Sequence, residues 1–568
     1  MNNEEIIQKN YLEWTQFPFD KETIQEVQKL KNDNNSKFQD SFYKDLSFGT
    51  GGMRGIVGYG PNRVNKYTFG RNTQGISNYI NKISDDKEAV VIAYDCRNQS
   101  KELANQVAEI FSSNNIKVYL FSSIRPTPEL SYALIKLKCI CGIVLTASHN
   151  PPEYNGYKVY WKDGGQIVPP IDKKLIKEIE SINFEDINFI KKDSNIQLID
   201  TEIDSSFIKD SIKNGKIGES KREEYRVVFT PIHGTSYKLL PAVLIGAGFK
   251  DFYIVEEQAI PDGNFSTVKS PNPEEPEALE IAIKKAEILN ADIVIGTDPD
   301  ADRVGFAVKN HQGDYIILNG NQMMILLTEY ILSKKENLDQ SFFIGSTVVS
   351  TNMIKHIANY YNVDLKVGLT GFKWIGKMIN DYKNQKFIFG GEESFGYMVG
   401  DFVRDKDAIT SALLACELGS ECKTNNSSII DYLINCYIKY GFYKERLISI
   451  KKEGAKGLDE ISDIMNSLRT SRLKMIDGSK LKFIKDFESS SKQDLIKGNS
   501  SKLDFPKSNV LIFETEDGTT VAARPSGTEP KIKFYISVNS KLESKSDYMK
   551  MDTLLENKIE RVIKEFEF

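Results

Sequence analysis

Three short apolar runs, AVVIAYD (89–95), VYLF (118–121) and CICGIVLTA (139–147), alternate with stretches of helical periodicity. Such runs predict strands buried on both faces, and their alternation with helices predicts a mostly parallel sheet flanked by helices. The rhythm returns twice. RVVFTPIHG (226–234), DFYIVEE (251–257) and ADIVIGTDPDADR (291–303) form a second set around the helix-like PEALEIAIKKAEIL (276–289). SFFIGSTVVST (341–351), VDLKVGLTG (363–371) and KFIFGGEES (386–394) form a third. Ahead of them, Glu4 to Leu46 has aromatics at helical spacing and predicts one or two surface helices. GTGGMRG (49–55) lets backbone turn sharply or approach a ligand. Residues 440–505 are rich in Lys, Ser and Asp, 509–538 read as strands around turns, and an amphipathic helix is predicted near 545–566. The fold class expected is α/β: three tandem similar α/β domains with mixed sheets, then a smaller C-terminal α+β domain. Its divisions fall at 1–204, 205–318, 319–424 and 425–568.

Length agrees with this division, since 568 residues at about 150 per domain give roughly four. Lys plus Arg number 74 and Asp plus Glu 79, a formal net charge of −5 without the basic excess of a phosphate-backbone binder. No nucleic-acid partner is expected. The start, MNNEEIIQKNYLEWTQFPFD, lacks the basic and apolar blocks of a secretory signal, and no run approaches the ~18–20 apolar residues of a membrane span. A cytoplasmic protein without a membrane partner is therefore expected, as monomer or homodimer. Cys96, Cys139, Cys141, Cys416, Cys422 and Cys436 fit no zinc spacing and read as reduced thiols.

The sharpest chemistry is Asp298-Pro299-Asp300-Ala301-Asp302-Arg303, directly after the apolar IVIG. Carboxylates at i, i+2 and i+4 in a short loop repel one another unless a cation sits among them. An all-oxygen set suits Mg²⁺, whereas an EF-hand lacks its glycine and glutamate here; an Asp-rich solvated turn is the plain alternative. Thr146-Ala147-Ser148-His149-Asn150-Pro151-Pro152, with Lys158 close behind, holds a candidate nucleophile, or simply a turn begun by Asn-Pro-Pro. Gly390-Gly391-Glu392-Glu393-Ser394-Phe395-Gly396 suits sugar hydroxyls, or caps a helix. Arg524-Pro525-Ser526-Gly527-Thr528-Glu529-Pro530-Lys531 joins a guanidinium and two hydroxyls in one turn, a phosphate clamp or an ordinary turn. Gly371 to Lys377 imitates a P-loop, but Met378 replaces its Ser or Thr and Trp374 and Ile375 obstruct a phosphate nest. His233 is a candidate cleft residue, and His311 and His356 read as surface or helix residues.

Together and in this order, the four loops resemble the signature set of the α-D-phosphohexomutase family, the phosphoglucomutases and phosphomannomutases. TASHNPPEYNGYK resembles its phosphoserine loop, DPDADR its Mg²⁺ loop, GEESFG its sugar loop and RPSGTEPK its phosphate loop. GTGGMRG resembles its first active-site segment, with Arg54, and LTGFKWIG its third-domain segment, with Gly371 and Lys373. The resemblance implies four domains around one central cleft. It implies phosphorylation of Ser148, and Mg²⁺ held by Asp298, Asp300, Asp302 and an oxygen on Ser148. Arg54, His149, Lys158 and Lys373 become candidate catalytic groups. Arg303, Glu392 and Ser394, with Gly371, are expected to bind the sugar phosphate, and Arg524, Ser526, Gly527 and Thr528 its distal phosphate. The implied reaction moves phosphate between C1 and C6 of a hexose through a glucose 1,6-bisphosphate intermediate, with glucose 1-phosphate the expected substrate. Mannose and pentose phosphate mutases, a bisphosphate synthase and an Mg²⁺-dependent sugar phosphatase are the alternatives; the phosphatase predicts tolerance of Ser148→Ala.

Overall fold

The computed structural model describes residues 2–49, 51–84, 88–452, 454–471, 473–526 and 531–566. The first apolar set builds one mixed sheet from β1 (Gly52–Ile56), β2 (Ala89–Tyr94), β3 (Lys117–Phe121), β4 (Cys141–Leu145), β5 (Tyr154–Trp161) and β6 (Ile196–Ile199), in the order β1-β5-β4-β2-β3-β6. β2, β3, β4 and β6 are parallel, while β5 runs antiparallel to β4 and β1. Val90, Ile92, Ile143, Leu145 and Val159 lie in its core, which explains why these strands read as unbroken apolar runs.

The second set repeats the plan with β7 (Val227–Thr230), β8 (Phe252–Ile254), β9 (Ile293–Thr297), β10 (Val304–Lys309) and β11 (Tyr315–Leu318), in the order β11-β10-β9-β7-β8. β7, β8 and β9 are parallel and β10 turns back antiparallel to β9. In the third set β12 (Phe342–Thr347) and β13 (Asp364–Gly368) are parallel, and β14 (Lys386–Glu392) and β15 (Gly396–Val399) form an antiparallel hairpin. One device thus recurs: β4, β9 and β14 each run into a loop and return as an antiparallel neighbour. Each loop carries one of the polar motifs, at the carboxyl edge where α/β sheets place ligands.

The chain resolves into two compact units, residues 1–319 with 372–426, and 320–371 with 427–568. The second contains an antiparallel sheet that includes β16 (Phe442–Lys451), β17 (Met475–Ile476), β18 (Ser479–Asp486), β19 (Ser491–Asp494), β20 (Asn499–Lys502), β21 (Leu511–Thr515), β22 (Thr520–Pro525) and β23 (Lys531–Ser540). Helix Tyr548–Glu565 packs on β23 through Leu555, Ile559 and Val562, an i, i+4, i+7 stripe. The class is therefore α/β in three tandem units with a C-terminal α+β region.

The N-terminal segment forms three helices, Asn3–Glu13, Lys21–Asp33 and Asn35–Phe42, rather than one or two. Asn34 separates the last two, its side chain accepting from the Lys37 amide as an N-cap. Nor are they merely superficial. Trp14 is fully buried, stacked on Phe19 at 4.3 Å, in a cluster with Phe42, Tyr67 and Phe184. The six cysteines are free thiols. Among the described residues no helix is long and apolar enough to cross a membrane.

Candidate active site

Ser148 stands three residues beyond the buried strand β4 and is itself buried. Its amide donates to Thr146 Oγ1 at 2.8 Å, and its φ of +52° is left-handed. An L-residue there gives up about 1–2 kcal/mol, so the surroundings must hold it. The turn brings Ser148 Oγ to Asp298, donating to Oδ2 at 2.7 Å, with His149 Nδ1 3.1 Å away.

The acidic loop has the same kink, with Ala301 at φ +54°. It folds over its own first residue: the amides of Asp302 and Arg303 donate to Asp298 Oδ1 at 3.0 and 2.9 Å. Asp298, Asp300 and Asp302 are all buried, and each offers an oxygen within 4.8 Å of the others. Lys158 reaches in from β5, donating to Asp300 Oδ2 at 2.6 Å and Asp302 Oδ2 at 2.8 Å. Lys406 lies 3.1 Å from Asp302 Oδ2, and Thr127 donates its hydroxyl to Asp300 Oδ2 at 2.7 Å. Burial, then the charges of Asp300 and Asp302, push the Asp298 carboxyl well above the usual carboxylate range. Burial also acts to raise Asp302, but the ammoniums of Lys158 and Lys406 prevail and hold it low.

This donor set fits a hard divalent cation. Asp300 Oδ1 and Asp302 Oδ1 are buried without a hydrogen-bond partner, although buried carboxylate oxygens are normally satisfied. The three carboxylates, each with an oxygen within 4.8 Å of the others, make an all-oxygen donor set suited to Mg²⁺.

The third hairpin repeats the kink at Phe395, φ +61°, between Glu392 at the end of β14 and Gly396 at the start of β15. The helix-cap alternative for this loop is thereby corrected, because a hairpin follows it and the next helix, Ala408–Thr424, is capped by Asp407. Phe395 O accepts from the Val304 amide at 3.0 Å, joining this hairpin to the acidic one. At Gly396 a Cβ would lie 2.2 Å from Lys406 Cδ, so only glycine lets that side chain pass toward Asp302. Glu392 is buried, and burial raises its carboxyl to about 7 against the opposing charge of Lys406. Ser394 sits in the turn itself. Arg303, held by Glu274, keeps its guanidinium beside the acidic loop, 4.0 Å from Asp302 Oδ1.

Arg54 projects from β1 and donates to Asn150 Oδ1 at 2.7 Å, in the serine loop. Lys373 opens helix Lys373–Asp381, 5.5 Å from the Trp374 ring centroid, and burial lowers its pKa against the charge of Asp172. Gly371 (φ +109°), Arg524 at the end of β22, and Ser526, whose amide donates to Lys531 O at 2.7 Å, belong to the second unit. Gly527 and Thr528 lie outside the described residues. His233 is a buried structural residue, its ring nitrogens 2.8 Å from Ile260 O and from Thr267 Oγ1. Two site residues escaped the sequence reading, Thr127 and Lys406; the one available signal for Lys406 is its place between two acids, Asp405-Lys406-Asp407.

Three family models match in order. Phosphoglucomutase/phosphomannomutase alpha/beta/alpha domain I covers residues 45–186, domain II 205–313 and domain III 319–437. The chain belongs to the phosphoglucomutase/phosphomannomutase family. It is 38% identical over 512 residues to a phosphoglucomutase of Staphylococcus epidermidis, covering 89% of this chain and 93% of that protein. A Staphylococcus aureus phosphoglucomutase is 38% identical over 505 residues, 88% of this chain and 91% of the relative. Among solved structures, a putative phosphomannomutase from Thermus thermophilus superposes with a TM-score of 0.66 at 20% identity, covering 88% of this chain and 96% of that one. The phosphoglucomutase parafusin of Paramecium gives 0.66 at 16% identity, covering 92% and 96%. These two likenesses are of fold. The family's three α/β domains are the three tandem units described above.

Proposed function

We propose that the protein is a phosphoglucomutase, interconverting glucose 1-phosphate and glucose 6-phosphate by way of a phosphorylated Ser148 and glucose 1,6-bisphosphate. The observation that carries this reading is the 2.7 Å hydrogen bond from Ser148 Oγ to Asp298 inside a buried three-carboxylate cluster. A hydroxyl of the sugar monophosphate attacks phosphorus on phospho-Ser148; the new O–P bond forms as the Oγ–P bond breaks, and the hydroxyl proton passes to a base. The bisphosphate turns, Ser148 Oγ attacks its other phosphate, and the monophosphate departs with the opposite carbon bearing phosphate.

His149, whose Nδ1 lies 3.1 Å from Oγ, takes the serine proton on this return step. Although burial alone would lower its pKa, Lys158 is held cationic by Asp300 and Asp302, so it serves as a fixed positive charge beside the transferred group. Arg54 and Arg303 add to that charge, and Glu392 and Ser394 receive the ring hydroxyls. The family resemblance assigns the distal phosphate to Arg524, Ser526, Gly527 and Thr528, and the sugar to Lys373 and Gly371. Asp298, Asp300 and Asp302 would hold Mg²⁺, which would supply Lewis-acid neutralisation of charge on the phosphoryl oxygens. Glucose preference is supported by the GEESFG loop and by the names of the staphylococcal relatives.

The test is isomerisation of glucose 1-phosphate by purified protein with Mg²⁺ and a trace of glucose 1,6-bisphosphate, with mannose 1-phosphate in parallel. Formation of glucose 6-phosphate at the greater kcat/KM is expected. Turnover of neither sugar contradicts the reading, and preference for mannose corrects the substrate.

A further inference from the structure

Arg97 follows β2 by three residues and is buried with no side-chain exposure to solvent. Its guanidinium fork does not point at the acidic loop. One terminal nitrogen donates to Ser148 O at 2.6 Å and Asn150 O at 2.5 Å; the other donates to Pro151 O at 2.7 Å and Tyr154 O at 2.9 Å. Three carbonyls of the serine loop and that of Tyr154, which opens β5, therefore converge on a single cation.

The fork is itself fixed on several sides. Asp95, buried, lies with Oδ2 3.4 Å from Arg97 Nε and accepts the Arg97 amide on Oδ1 at 3.0 Å. Ser100 Oγ donates to the same Oδ1 at 3.0 Å and accepts from Asn155 Nδ2 at 2.9 Å, linking the clamp to the start of β5. The Phe265 ring centroid is 5.0 Å from the guanidinium carbon. Arginine suits this place because a planar fork reaches four acceptors, which a single ammonium cannot do.

Within the loop the Ser148 amide donates to Thr146 Oγ1 at 2.8 Å, the Asn150 amide to Ala147 O and the Tyr154 amide to Pro151 O, the last two at 3.1 Å. None of these bonds engages the Ser148 carbonyl, which accepts from Arg97. We infer that Arg97 is a positioning residue for phosphoryl transfer: it holds the serine loop by its carbonyls in the one conformation that aims Ser148 Oγ at the cation pocket. The inference rests on Ser148 as the phosphoryl carrier. It assigns Arg97 no contact with substrate.

Two variants, Arg97→Lys and Arg97→Met, and two measurements test it. Because misplacing a reacting group by about 1 Å costs on the order of 100-fold, Arg97→Met is expected to lose about that much in kcat and Arg97→Lys about 10-fold. KM for glucose 1-phosphate should stay within about twofold, as for an interaction that counts only in the transition state, with kcat taken per folded enzyme from the urea-unfolding baseline. Independently of turnover, hydrogen exchange read by mass spectrometry should speed up in peptides spanning 147–156 and stay unchanged in those covering β9 and β10. A wild-type enzyme without mutase activity would sink the functional reading while leaving the exchange result to judge the clamp. A folded Arg97→Lys protein with wild-type kcat, or with unaltered exchange in the serine loop, overturns the inference. Should both variants fail to fold, Asp95→Asn takes their place: slower turnover at constant KM with faster loop exchange supports the clamp, and wild-type behaviour in either overturns it.

Discussion

Glu392→Gln separates the cost of burying a carboxyl from its use. Glu392 is 4% exposed, and burial moves its carboxyl from an ordinary 4.5 to about 7. At about 1.4 kcal/mol per pH unit, that difference corresponds to roughly 3 kcal/mol of folding free energy. The sign follows from the direction of the shift. A folded-state pKa above the unfolded one means the folded protein binds the proton more tightly, so Glu392's contribution is fully present below pH 4.5 and is lost as pH rises through about 7. Glutamine imitates the protonated form at every pH. The variant should therefore match wild type near pH 4.5 and exceed it at pH 8 by up to ~3 kcal/mol in urea titrations followed by tryptophan fluorescence. Kinetics should move the other way. In wild type, KM for glucose 1-phosphate should rise as pH falls through 7, since the protonated carboxyl loses acceptor capacity for ring hydroxyls; in Glu392→Gln, KM should be high and flat. A stability difference independent of pH, or a wild type more stable than the variant at pH 8, refutes the reasoning.

Lys406→Met removes an ammonium 3.1 Å from Asp302 that competes with a metal for the same carboxylate. Calorimetric titration should show Mg²⁺ binding several-fold tighter while kcat falls, and weaker binding contradicts the electrostatic reading. Thr127→Val deletes the 2.7 Å hydroxyl bond to the buried Asp300 with little change of shape. Hydrogen bonds to charged groups contribute about 1.5–3 kcal/mol, so the metal-free protein should unfold at lower urea, and an unchanged midpoint contradicts the assignment.

What was readable in the chain depended on where each chemical group sits relative to its strand. Ser148, Asp298, Asp300 and Asp302 follow unbroken apolar runs, so the rule that ligands gather at carboxyl edges of strands marked each loop. Only the family resemblance joined the serine loop to the acidic one, because they end strands of two different sheets. Three matching hairpins put left-handed kinks at Ser148, Ala301 and Phe395, none of them glycine, and residue type therefore did not announce these turns. Glu392-Glu393-Ser394 reads equally as a cap or a sugar loop until pairing of β14 with β15 is known, because pairing is a non-local property. Lys406, Thr127 and Arg97 were invisible for the same reason: each acts across 51 to 173 residues of sequence, from elements with no local chemical pattern. The N-terminal helices showed their periodicity, but their aromatic core with Tyr67 and Phe184 is assembled from distant segments.

The central claim is that a phosphoryl group travels on Ser148, and the most direct measurement is intact and peptide mass spectrometry after brief exposure to glucose 1,6-bisphosphate and Mg²⁺. One PO₃ should appear on the peptide containing Ser148, be discharged by added glucose 6-phosphate or glucose 1-phosphate, and be absent in Ser148→Ala. A protein that isomerises the sugar phosphates while this peptide never carries phosphate, or a Ser148→Ala enzyme of undiminished activity, contradicts the account.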